Sequence, residues 1–310
     1  MTGEADHPRY STRCGFVAVV GAPNAGKSTL VNALVGAKVS IVSPRVQTTR
    51  TLVRGIAMFG AAQVAFVDTP GIFRPKKRFE RAMVAAAWQG AADAEIVLLV
   101  VDASKASKAG ADDDTDQIIA GLRKAGRKAL LVLNKVDLVE KGVLLELAQR
   151  LDATGVFSEI FMVSALTGDG LERMRDALAA AVPQGPWLFP EDEITDMPSR
   201  LLAAEVTREK LFLNLRQELP YSCAVETERW EEKADGSLRV EQVIYVTRES
   251  HRPIVLGAGG QRIKTIGAAS RKELETMFDR KIHLFLHVKV NERWNEDRGL
   301  YAAWGLDFNA

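Results

Sequence analysis

Hydrophobic positions fall in short, separate blocks over the first 180 residues. "GFVAVV" (15–20), "TRTLVRGIAMF" (49–59), "AQVAFVDT" (62–69), "EIVLLVVDAS" (95–104), "KALLVLNKVD" (128–137) and "EIFMVSAL" (159–166) read as strands. Several are apolar almost throughout, as strands covered on both faces are. Helical stripes separate them, at "KSTLVNALVG" (27–36) and over 79–92, 112–125, 142–153 and 170–181. Strands alternating with helices predict a mostly parallel sheet with helices on both sides. In such sheets ligands sit beyond the carboxyl ends of the strands. Residues 21–29, 68–71, 134–137 and 164–166 all follow such ends, so they are expected to line one site.

The pattern changes after residue 182. "VPQGPWLFPEDEITDMP" mixes prolines with acids and reads as a linker. Beyond it the stripes predict a helix (200–218), strands at 222–230 and 238–248 joined by the turn "ADGS", a helix (260–278) and a strand (281–290). The expected organisation is an α/β domain over 1–183, a linker over 184–198 and a smaller α+β domain over 199–310.

Composition adds little to that picture. Hydrophobic residues make up 47% and charged residues 26% of 310, as in an ordinary globular protein. A net charge of +1 gives no global pull toward nucleic acid or membrane, so any such site is local. Cys14 and Cys223 fit neither a zinc nor a disulfide pattern and are expected as small buried hydrophobes. The opening "MTGEADHPRYSTR" lacks the apolar core of a secretory signal, and no apolar run reaches the ~18 residues of a membrane span. A cytoplasmic protein is expected.

The chemistry starts at "GAPNAGKST" (21–29), placed between a strand and a helix. The spacing G-x-x-x-x-G-K-S is that of a phosphate-binding loop. Backbone N–H groups from Asn24 to Thr29, with Ala25 and Gly26 between, would converge on a β-phosphate at the positive end of the helix. Lys27 would reach the β- and γ-phosphates, and the Ser28 hydroxyl would ligate Mg²⁺. In "DTPG", Asp68 can hold Mg²⁺ through water and Gly71 can donate its N–H to a γ-phosphate. "NKVD" supplies the base site. Asp137 can accept from both N1–H and the exocyclic amine of guanine, a donor pair that adenine lacks. Asn134 would take the other edge, and the stem of Lys135 would lie along the base. The backbone of Ser164, Ala165 and Leu166 could reach guanine O6. In the polar loop "SPRVQTTR" (43–50), Thr48 or Thr49 would close onto Mg²⁺, with Thr49 the candidate. The basic run "RPKKRFER" (74–81) reads as a solvated face.

The order phosphate loop, switch threonines, DTPG, NKxD and SAL resembles the TRAFAC-class GTPases. "GAPNAGKSTLVNALVG", "VSIVSPRVQTTR" and "DTPGI" narrow the resemblance to the Era-like family, as do "ELPYS", "GGQRIKTIGAASRKELE" and "HLFLHVKVNERWNED" in the second half. The resemblance implies a P-loop GTPase domain followed by a type II K-homology domain. It also implies Mg²⁺-dependent hydrolysis of GTP to GDP and binding to the 3′ end of 16S ribosomal RNA on the 30S subunit. A monomer with possible peripheral contact to the inner membrane face is implied as well. The alternative is a membrane-associated regulatory G protein whose second domain docks lipid or protein.

Catalytic candidates are Lys27, Thr49 and Gly71, and no general base stands out. Ile72 occupies the position where Ras-like proteins place a water-orienting glutamine, so slow intrinsic hydrolysis is expected. Asn24 matches an asparagine with which related GTPases hold K⁺. In the second half, "GAGG" (Gly257, Ala258, Gly259, Gly260) precedes a helix and would let a nucleic-acid backbone approach. Such loops usually carry a basic residue between their outer glycines. Here phosphate contact would fall to backbone amides with Arg262 and Lys264. Residues 248–281 hold eight Lys/Arg against four Asp/Glu.

Overall fold

The computed structural model describes residues 11–45, 48–107 and 113–310. By contacts the chain divides into two units: 1–40 with 49–196, and 41–48 with 197–310.

The first unit runs β1 (Arg13–Val20), α1 (Lys27–Val35), β2 (Val53–Phe59), β3 (Ala62–Asp68), α2 (Arg78–Asp93), β4 (Ile96–Asp102), α3 (Ala103–Ala106), α4 (Asp113–Lys124), β5 (Ala129–Asn134), α5 (Lys141–Asp152), β6 (Phe157–Val163) and α6 (Leu171–Ala181). Its six strands lie in the order β2-β3-β1-β4-β5-β6. Only β2 is antiparallel to its neighbour; the rest pair in parallel. The apolar blocks explain this. Alternate residues of β4 feed opposite cores: Leu98 and Val100 join α1 and α6 on one face, Leu99 and Val101 join α2, α4 and α5 on the other. Burial of that kind contributes about 1.5–3 kcal/mol per large side chain.

Some boundaries moved for physical reasons. β2 begins at Val53 rather than at residue 49: Thr48–Thr51 are buried polar residues outside the strand, with Thr49 turned to Ser28 and Asp68. β4 stops at Asp102, whose side chain accepts the Ser104 N–H and caps the short helix α3. The proline-rich segment expected as a linker is fastened along the first unit as far as Asp196. The buried Gln63 side chain donates to Phe189 O and accepts from the N–H groups of Leu188 and Phe189.

The second unit runs α7 (Ser199–Asn214), β7 (Cys223–Glu232), β8 (Leu238–Val246), α8 (His251–Leu256), α9 (Gln261–Phe278), β9 (Ile282–Val290) and α10 (Arg298–Ala303). Its sheet has the order β7-β8-β9, antiparallel then parallel. α7 ends four residues before its expected limit. Leu215 after its last turn is extended (φ −97°, ψ 160°), and Gln217 has a left-handed backbone (φ 53°). The short helices α8 and α10 carry too few residues for a readable stripe.

Loop residues 41–48 group with this unit. The Val42 N–H donates to Glu209 Oε1 at 2.8 Å, Arg45 donates to Phe212 O at 2.8 Å, and buried Arg208 donates to Thr48 O at 2.6 Å. Arg208 is also ion-paired with Glu205 one turn back on α7. Cys14 and Cys223 are both buried thiols.

Candidate functional site: a nucleotide cradle and a glycine loop

The turn from β1 into α1 forms the phosphate loop. Gly26 stands at its end with φ 92°. A Cβ there would lie 2.2 Å from Asn134 Nδ2, so only glycine fits both the backbone and the neighbour. The Lys27 ammonium is buried inside the loop and donates to Gly21 O and Ala22 O, each at 3.0 Å. Burial lowers its pKa to about 8, against the opposing pull of Asp68.

Three hydroxyls converge on Asp68 at the end of β3. Ser28 Oγ donates to Asp68 Oδ2 at 2.7 Å and Ser40 Oγ at 2.6 Å, with Thr49 Oγ1 at 3.5 Å. Ser28 and Thr49 are themselves 2.9 Å apart. Burial raises the Asp68 pKa, while the three hydroxyls and Lys27 work against that rise. The other carboxylate oxygen, Oδ1, is buried without a hydrogen-bond partner. An orphaned buried carboxylate oxygen beside two hydroxyls is a donor set suited to a hard divalent cation with its waters. The expected Mg²⁺ residues Ser28, Thr49 and Asp68 therefore come together and fit the ion. Ser40 joins them unforeseen, because nothing in "KVSIV" marks its hydroxyl as a partner for Asp68. Thr48 turns to Ser43 Oγ at 2.6 Å instead.

Gly71 passes against the phosphate loop. A Cβ on it would lie 3.0–3.1 Å from Pro23 atoms, and the next N–H, of Ile72, donates to Gly21 O at 3.1 Å.

At the base end, Asn134 closes β5. Its Nδ2 donates to Ala25 O at 2.9 Å, and its Oδ1 accepts from the N–H groups of Lys135 (2.9 Å) and Ala165 (3.0 Å). Asn134 thus ties three segments together, leaving one amide hydrogen for a ligand. Ala165 reaches the site through this bond, so its N–H is already engaged. Asp137 stands exposed in the turn after Lys135, and Leu166 is 82% exposed. Ser164 is buried and holds its turn, accepting the Thr167 N–H at 3.2 Å. Lys135 Nζ donates to Asn24 O at 2.8 Å and to Asp102 Oδ2 at 2.6 Å. Asp102 was not expected in the site. The only signal for it is an acid closing an otherwise apolar strand. Thr29 lies half-buried in the first turn of α1.

In the second unit the loop Gly257–Gly260 joins α8 to α9. Gly257 has φ 73°, and a Cβ on it would lie 2.7 Å from Arg262 Cβ and 2.9 Å from Arg262 N. The close approach that demands glycine there is the chain's own helix start. Gly259 and Gly260 have positive φ with open space around them, and Ala258 is exposed. Arg262 donates to the Ile254 carbonyl and so braces the loop, while Lys264 is exposed. An open groove of about 370 Å³ lies between α9 and β9, lined by Ile263, Lys264, Gly267, Arg271, Leu284 and Phe285 among others.

Residues 16–135 match the model of the 50S ribosome-binding GTPases, and residues 218–295 match the KH domain. The chain is 55% identical to GTPase Era of Rhizobium meliloti, over 96% of this chain and 94% of that one. It belongs to the Era family of GTPases. Era of Brucella suis is 56% identical over the same shares. A solved Era from Aquifex aeolicus, bound to GDP and aluminium fluoride, superposes with TM-score 0.88 at 38% identity, covering 95% of this chain and 99% of that one. An Era complex with MgGDPNP and nucleotides 1506–1542 of 16S ribosomal RNA superposes equally well at 37% identity, with the same coverage. Membership in this family makes the chain a GTPase that takes guanine nucleotide with Mg²⁺, built as a P-loop domain followed by a KH domain. Among the described residues no helix is long and apolar enough to cross a membrane.

Proposed function

We propose that this chain is a GTP-hydrolysing switch that binds the 3′ end of 16S ribosomal RNA and assists maturation of the 30S subunit in the cytoplasm. The observation that carries this reading is the Era–rRNA complex, similar over nearly the full length of both chains. The Gly257–Gly260 loop with exposed Lys264 beside it supports the same reading.

In this reading the loop from Asn24 to Thr29 cradles the phosphates and Lys27 neutralises charge on the transferring group. Ser28, Thr49 and Asp68 hold Mg²⁺, which supplies Lewis-acid stabilisation of that charge. Gly71 offers its N–H to the γ-phosphate. Asp137 selects guanine, with Asn134, Lys135 and the 164–166 turn shaping the base pocket. With buried Ile72 after DTPG, no side chain there orients water, so hydrolysis is slow without an activator. K⁺ held at Asn24 is the proposed substitute for an arginine finger. RNA meets the amides of Ala258, Gly259 and Gly260 and the Lys264 ammonium, with Arg262 holding the loop. The working form is a monomer, and peripheral membrane contact is secondary to RNA.

Titration of a 16S 3′-end oligonucleotide in GDP and in a non-hydrolysable GTP analogue tests the switch. Tighter RNA binding with the analogue is expected, with reciprocal tightening of the nucleotide. Equal affinities would overturn it. Lys264→Ala should weaken all sequences alike and reduce the salt slope by about 0.7.

A further inference from the structure

Among the described residues four non-glycine residues have positive φ: Asn24, Lys135, Gln217 and Asp279. Such backbones persist where their surroundings hold them. Two of the four, Asn24 and Lys135 (φ 65° each), are joined by one hydrogen bond, from Lys135 Nζ to Asn24 O at 2.8 Å. A three-donor ammonium is mobile on its stem unless a second partner fixes it. That partner is Asp102, whose Oδ2 lies 2.6 Å from Nζ and whose side chain is only 4% exposed. Asp102 closes β4 in register with Asn134 on β5, one residue before Lys135. Its Oδ1 is occupied by the Ser104 N–H (3.0 Å) and hydroxyl (2.6 Å), so the carboxylate cannot swing away. Burial works to raise the Asp102 pKa, yet the bonds from Lys135 and Ser104 hold it below the usual carboxylate value. It therefore stays charged at neutral pH.

We infer that Asp102 is a positioning residue for guanine nucleotide, pinning Lys135 so that the base-binding turn and the phosphate loop are held together at Asn24. This rests on the assignment of the two loops to one nucleotide. A mere helix-capping role would run through Oδ1 and Ser104 alone. The positioning role runs through Oδ2 and the ammonium.

The test is the affinity of the full chain for fluorescently labelled GDP. Asp102→Asn retains a cap oxygen and loses the charge facing Lys135. It should weaken GDP about tenfold, as loss of a charge-assisted bond predicts, chiefly through faster release. Asp102→Ser, which also retains a cap oxygen, should weaken GDP to a similar degree. Ser104→Ala keeps the Ser104 N–H on Oδ1 and loses only the hydroxyl, so it should weaken GDP less than either Asp102 variant. Combining Asp102→Asn with Lys135→Met should weaken binding no further than Lys135→Met alone. Parent-like affinity in both Asp102 variants, or losses that multiply in the double variant, would overturn the inference. Failure of the parent itself to bind GDP would instead refute the nucleotide assignment beneath it.

Discussion

Asn134 donates its side-chain amide to the carbonyl of Ala25 at 2.9 Å, across 109 positions of the chain. This bond joins the turn after β5, proposed to meet the base, to the loop after β1, proposed to meet the phosphates. The same Nδ2 stands where Gly26 would carry a side chain. Gly26→Ala must therefore break the Asn134 bond as well as strain a φ of 92°. It should lower GDP affinity by about a hundredfold or more, with little change in the far-ultraviolet circular dichroism. Equilibrium titration with labelled GDP checks this.

Asp137 stands exposed in the turn Val136–Leu138, with its carboxylate open to a ligand. Asp137→Asn should weaken GTP by about a hundredfold and favour xanthosine triphosphate, whose C2 carbonyl accepts where the guanine amine donates. Competition between the two nucleotides reads the switch. Retention of parent GTP affinity would refute the base assignment.

Lys27 makes nucleotide binding pH-dependent. Its pKa is about 8 in the fold against 10.5 when free. Below about pH 8 it is protonated both folded and unfolded, so the burial penalty is constant. Between those values the unfolded chain holds the extra proton, so the ligand-free fold gains stability as pH rises. Phosphates beside Lys27 favour its charged form. GDP binding at pH 9 should therefore take up a proton, and at pH 7 Lys27 should contribute none. GDP affinity should fall as pH climbs past 8. Calorimetry in two buffers of different ionisation enthalpy measures the uptake directly.

Arg208 and Glu205 form an ion pair inside the second unit, with Arg208 only 1% exposed. Arg208 Nη1 already lacks a partner. Glu205→Ala would leave the buried guanidinium without its counter-charge, held only by the Thr48 carbonyl, and should destabilise that unit by about 3–5 kcal/mol. Glu205→Gln, which keeps an acceptor, should cost less. Urea unfolding of the two variants separates these outcomes.

The sequence by itself determined the sheet, the two folds and the placement of the motifs. Blocks such as "IVLLVV" can be buried on both faces only in a covered parallel sheet, and motifs after strand ends then share one edge. Those signals are local: apolar period, glycine spacing, and hydroxyls next to lysine. Only the tertiary structure decided what depends on side chains far apart in the chain. Nothing in the sequence around Ser40 or Asp102 marks either as a site residue. They entered the site because the folded backbone brought one to Asp68 and the other to Lys135. Residues 41–45 and 48 read as part of the first domain, yet they group with the second unit, because Arg208 and Glu209 hold main-chain groups of Thr48 and Val42 and Arg45 reaches the end of α7. Gly257 was expected in a loop that admits a nucleic-acid backbone, and the fold adds that the helix start at Arg262 leaves no room there for a side chain. A linear pattern records which face of an element is apolar. It does not record which polar atom across the fold will meet a given carboxylate, because that pairing is set by packing after the elements have formed.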